Sequence, residues 1–122
     1  MQYVIKAFFI ALLFLTGVVS AQEWPNRPIS LVVSYPPGGT ADLMARTIAG
    51  PLGKALGTSV VVENKPGASG QIAAAYVAKA NADGYTLMLD ASSYSVNPSL
   101  FPKLPYDPNK DFKTLGLSLI HI

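Results

Sequence analysis

Three short, apolar, largely β-branched runs alternate with two stretches of helical apolar spacing, and this alternation admits few folds. The first run, Ile29-Ser30-Leu31-Val32-Val33, is nearly continuous in apolar side chains, the pattern of a strand buried on both faces. By this reading a strand spans Ile29 to Tyr35, and two more occupy Ser59 to Glu63 and Tyr85 to Leu89. The spacing of Leu43, Met44, Ile48, Leu52 and Leu56 predicts a helix from about Thr40 to Leu56 that buries this stripe. A second helix is expected from about Gly70 to Ala80. Strands alternating with helices and joined by right-handed crossovers make a three-stranded parallel sheet. The fold class is therefore α/β with βαβαβ order.

Each strand runs into a turn of special residues: "SYPPGG" from Ser34, "NKPGASG" from Asn64, and Ala91-Ser92-Ser93. Prolines end the ladder because they lack a donor, and glycines reach backbone angles closed to other residues. These turns fall at the carboxyl ends of parallel strands, where α/β proteins hold their ligands. One dipeptide conflicts with the pattern. Gly50-Pro51 interrupts the first helix, and an interior proline costs about 3 kcal/mol. A kink with the same face buried is expected, the alternative being two shorter helices. Beyond Ser93, "NPSLFPKLPYDPNKDF" is proline-rich and reads as an ordered connection anchored by Leu100, Phe101, Leu104, Tyr106 and Phe112.

The two ends have a different character. Lys6 precedes an uncharged apolar run from Ala7 to Ser20, and Val19-Ser20-Ala21 has the small residues that signal peptidase cuts. The run falls short of the roughly 20 apolar residues that span a bilayer. Residues 1–21 are thus expected to be a signal peptide, which leaves no membrane insertion after cleavage at Ala21 and places the mature chain in the periplasm. With nine basic and seven acidic residues in all, loss of Lys6 leaves a near-neutral chain with no basic footprint for nucleic acid. There is no cysteine, so disulfides, thiolate metal sites and cysteine nucleophiles are excluded. The tail from 113 to 122 reads as aberrant. From Leu117 the string "LSLIHI" is what a sequencing-adapter end encodes when read through in frame, and the chain's one histidine, His121, lies in it.

Taken together, "WPNRPISLVVSYPPGGTAD", "VVVENKPGASGQIAA", "ADGYTLML" and "NPSLFPKLPYDPNKDF" resemble, in order and spacing, the Bug-type receptors of tripartite tricarboxylate transporters. The resemblance covers about Glu23 to Phe112. It implies that residues 22–112 are part of the first of two α/β domains that close on a ligand like a clamshell. It also implies an extracytoplasmic receptor that binds a di- or tricarboxylate, an amino acid or an aromatic acid, works with the transporter's membrane subunits, and catalyses nothing. A receptor that docks on a signalling partner would use the same closed form. An enzyme on this fold is the weaker rival: neither G-x-G-x-x-G nor G-x-x-x-x-G-K-[ST] occurs, and no Ser-His-Asp set or metal-ligand cluster is visible. No cofactor and no metal is expected.

The physical case for a carboxylate is separate. A helix start offers unpaired N–H groups and about half a positive charge, so an anion binds there without a basic side chain. Two such starts are expected beside one sheet edge, at Gly38-Gly39-Thr40-Ala41 and at Gly67-Ala68-Ser69-Gly70. Thr40 and Ser69 either cap their helices or touch the ligand, and Ser92 and Ser93 add hydroxyls from the third strand's end. Tyr35 walls the pocket or packs in the core. Asp42 answers the helix field, or instead holds a ligand amino group or orients the turn. Lys65 attracts anions or is only solvated. Gly39→Val is expected to harm binding more than Lys65→Ala, because valine blocks close approach and resists positive φ.

Overall fold

The computed structural model of the chain describes residues 23–116. The signal peptide expected over 1–21 and the end of the tail, including His121, lie outside the described residues.

Three strands form: β1 (Ile29–Val33), β2 (Val60–Asn64) and β3 (Thr86–Leu89). Between and after them lie helices α1 (Thr40–Leu56), α2 (Gln71–Ala78) and α3 (Ser93–Leu100), with a short turn of helix at Ala68–Gly70. The sheet has the order β2-β1-β3, and β1 is parallel to both neighbours, with Leu31 opposite Val62 on one side and Leu87 on the other. The most continuously apolar run therefore takes the centre, where Ile29, Val32 and Val33 are fully buried. Alternation along β1 divides its side chains between two faces. Leu31 and Val33 pack with Ala45 of α1, bordered by Tyr35, Ala41, Val60, Val62, Leu87 and Leu89. Val32 and Ser34 take the opposite face, which the start of α2 approaches: a Cβ added to Gly70 would stand 3.4 Å from the Ser34 Cβ.

Helix α1 differs from the expected stripe. Its buried positions are Asp42, Ala45, Ala49 and Gly53, while Leu43 is 66% exposed and Met44, Ile48 and Leu52 are half-buried along the flank. The reason is close approach. A Cβ on Gly53 would lie 2.7 Å from the Thr58 carbonyl oxygen, so only small residues fit beneath the helix there. Pro51 lies within one continuous helix, which excludes the two-helix alternative. Gly50 before it has no Cβ to meet the proline ring, which removes part of the pre-proline restriction. The helix ends at Gly57, in the left-handed region with φ 70.

The stretch after Ser93 also departs from expectation, because it is a helix where a connection was expected. Asp90 starts it by accepting the Tyr94 N–H at 2.6 Å and the Ser93 hydroxyl at 2.6 and 2.7 Å. The bond from Tyr94 satisfies a backbone N–H that the first helical turn otherwise leaves orphaned. Of the expected anchors further on, Tyr106 is buried and Phe112 half-buried. The rings of Tyr94 and Tyr106 each meet Phe112 edge-on, at 5.5 and 5.6 Å. Leu100 and Phe101 are exposed and anchor nothing. At the opposite end of the sheet, Arg27 pairs with Asp83 at 2.9 Å and stacks over the Tyr85 ring at 4.2 Å. No described helix is long and apolar enough to cross a membrane.

Candidate functional site

The carboxyl ends of the three strands meet at one edge, and a set of side chains ties them together there. At the end of β1, Gly38 takes φ 82, a conformation suited to glycine, and donates its N–H to Asp42 Oδ2 at 2.9 Å. Arg46 Nε donates to the same oxygen at 2.9 Å, and Asn64 Nδ2, at the end of β2, donates to Asp42 Oδ1 at 2.9 Å and to the Tyr35 carbonyl at 3.0 Å. Asp42 is 4% exposed. Its Arg46 partner first, then the Gly38 N–H and the Asn64 amide, hold its carboxyl far below the usual range, against burial, which acts the other way. Asp42 thus spends its acceptors on the turn and joins β1 to β2.

A second carboxylate serves the third strand. Asp90 follows β3, accepts the Ser34 hydroxyl from the end of β1, and holds Ser93 and Tyr94 of α3. Tyr35 is half-buried at the border of the core and donates its hydroxyl to Ser93 Oγ at 3.3 Å, so it both packs and cross-links. Gly70 is buried with φ 80, and a Cβ there would stand 2.8 Å from Ser93 Oγ and 3.3 Å from Asp90 Oδ1.

The expected site residues divide accordingly. Thr40, Ala41 and Ser92 line one groove of about 770 Å³, together with Asp90, Ala91 and the apolar flank Met44, Ile48 and Leu52. Ala68 lines a separate groove on the α2 side, with Ile72, Tyr76, Lys79 and Pro105. Gly39 is the N-cap of α1 at φ −83, and Leu43 makes the first intrahelical bond to its carbonyl. The N–H groups of Thr40, Ala41 and Asp42 therefore have no partner inside the helix. The Gly38 N–H, in contrast, is taken by Asp42. Neither α1 nor α2 carries a side-chain cap bond, which removes the capping role considered for Thr40 and Ser69. Since Gly39 has negative φ and a Cβ there would lie 3.5 Å from the Pro36 oxygen, the positive-φ argument belongs to Gly38. Lys65 lies 3.7 Å from Glu63 Oε2 and 4.1 Å from the Tyr76 ring centre. No cluster of three or more metal-ligating side chains occurs among the described residues.

A profile of the tripartite tricarboxylate transporter family receptor matches residues 44–119. The chain belongs to this receptor family. The Bug-type resemblance holds: the chain is 47% identical over 111 residues to protein BugT of Bordetella pertussis, covering 89% of this chain and 34% of that protein. Among solved structures it is similar to the periplasmic binding protein BugD, with a TM-score of 0.70 and 42% identity over 73% of this chain and 30% of that one. It is similar also to MatC from Rhodopseudomonas palustris with bound malate, with a TM-score of 0.69 and 41% identity, covering 73% and 31% of the two chains. An R. palustris protein with adipate gives a TM-score of 0.67 at 43% identity, covering 71% and 29%. The chain spans about a third of the length of the curated relatives it matches.

Asn64 and Asn97 carry no sequence signal for their tethering roles, since their partners lie far along the chain. Asp90 lies two residues before Ser92, the N-cap of α3, outside the position that a cap signature marks, and Pro98 argues against a helix there.

Proposed function

We propose that the chain forms part of the ligand-binding α/β domain of a periplasmic receptor that captures a small carboxylate for a tripartite tricarboxylate transporter. The observation that carries this reading is the composition of the groove at the strand ends. Its polar side comes from the start of α1, from Ser92 and from Asp90, whose oxygens already accept from Ser34, Ser93 and Tyr94, and none of its lining residues is a lysine or arginine. Free helix-start N–H groups favour an anion there through the helix field and charge-assisted hydrogen bonds. Receptor-family membership and the relatives solved with malate and adipate support a dicarboxylate. The role is binding and not catalysis, and the partners are the transporter's membrane subunits.

The test is a receptor with the frame of MatC in which residues 23–116 of this chain replace the matched segment. Isothermal titration with malate, adipate, citrate, aspartate and benzoate is expected to show saturable binding of at least one acid and none of its uncharged amide. A folded chimera that binds none of the panel overturns the reading.

A further inference from the structure

The geometry points to Asn97 as a positioning residue for the ligand, acting through the turn Gly67–Gly70. The inference deepens the receptor reading and rests on it. Four successive residues of this turn have positive φ: 126 at Gly67, 47 at Ala68, 52 at Ser69 and 80 at Gly70. Glycines adopt such angles freely, but Ala68 and Ser69 do not, and two strained residues in succession persist only when their surroundings hold them. The bond that closes the turn, Gly70 N–H to the Gly67 carbonyl at 3.0 Å, is local and does not select this hand. The selecting contact comes from α3. Asn97 is 2% exposed and donates Nδ2 to the Ser69 carbonyl at 2.8 Å, across 28 residues of sequence.

Helix α3 is itself fixed at its start by Asp90, which is bonded to Ser34 at the end of β1. A continuous path therefore runs from β1 through Asp90 and α3 to Asn97 and the Ser69 backbone. The turn meets the groove at Gly70, where an added Cβ would stand 2.8 Å from Ser93 Oγ and 3.3 Å from Oδ1 of Asp90, a residue that lines the groove. Asn97 acts as a latch: without its amide, the turn relaxes toward right-handed angles and Ser69 moves.

The test uses the same MatC-frame receptor, with malate and adipate as probes. Asn97→Ala is expected to weaken binding about tenfold, the worth of one buried hydrogen bond. It is also expected to speed amide exchange at Gly70 and Gln71, whose N–H groups bond within the turn, by about tenfold, with β1 amides unchanged. Adding Ala68→Gly to Asn97→Ala is expected to recover most of the affinity, because glycine takes positive φ without a latch. A side chain that serves packing alone is not rescued in this way. Asn97→Leu keeps the volume and loses the donor without adding a charge, so it reports the same effect if the alanine variant does not fold. Unchanged exchange at the turn overturns the latch, whether or not ligand binds. Faster exchange with unchanged affinity overturns positioning. A parent receptor that exchanges normally but binds no acid overturns the functional reading, and positioning with it.

Discussion

The carboxylate of Asp42 accepts the N–H of Gly38 at 2.9 Å, four residues back along the chain. This bond closes the turn between β1 and α1 and withdraws one glycine donor from any ligand. It also decides the role of Asp42. A buried carboxylate that already holds Gly38, Arg46 and Asn64 is part of the frame of the site.

The first prediction concerns acid. Because the folded state holds the Asp42 carboxyl below its ordinary value of 3.8, its contribution to stability is fully present above about pH 4. The contribution is lost as pH falls from that ordinary value toward the depressed folded one. In the MatC-frame receptor, Asp42→Asn is expected to be less stable at pH 7 and to show a shallower loss below pH 4, read from urea unfolding at several pH values.

A second prediction ranks two glycines of nearly equal φ, 82 at Gly38 and 80 at Gly70. Gly38→Ala meets open space and bears only the left-handed strain, about 1–2 kcal/mol. Gly70→Ala bears that strain and also drives a methyl against Ser93 and Asp90, adding about 1–3 kcal/mol. Urea unfolding of the MatC-frame receptor is expected to place Gly70→Ala clearly below Gly38→Ala, and the reverse order would show that the Asp90 cluster yields freely.

The third prediction separates side-chain charge from backbone donors. Lys65 already neighbours Glu63 and the Tyr76 ring, so Lys65→Ala is expected to change malate affinity in the MatC-frame receptor by a few-fold at most, and mainly at low salt. A loss of a hundredfold on titration would show that the anion is held by a lysine.

The apolar flank of α1 supplies a fourth. Met44, Ile48 and Leu52 border the groove beside Leu87 and Leu89 and are only half-buried, although parallel sheets are covered on both faces. The 122-residue chain alone is expected to bind a hydrophobic dye and to melt without a sharp transition. A sharp, reversible melt with no dye signal would contradict this.

The fifth concerns export. Cleavage after Ala21 is expected to give a product beginning at Gln22, and Ala21→Arg is expected to block it. N-terminal sequencing of periplasmic protein reads the outcome, and Met1 on a membrane-bound product would contradict the cut.

The sequence by itself determined the three parallel strands, the two crossover helices and the turns at the strand ends. These follow from local properties: β-branched apolar runs, helical spacing, and prolines and glycines where the ladder stops. Tertiary structure decided the rest. The face of α1 that packs is Ala45, Ala49 and Gly53 because the helix lies close to the sheet, whereas periodicity alone favours the larger Met44, Ile48 and Leu52. Helix α3 forms despite Pro98 because Asp90 starts it and Asn97 is tied to Ser69, contacts that residue propensity does not contain. The site's frame depends on Asn64 reaching Asp42, Ser34 reaching Asp90, and Asn97 reaching Ser69, across 22, 56 and 28 residues. Hydrogen bonds over such separations exist only once the sheet has brought its strand ends together.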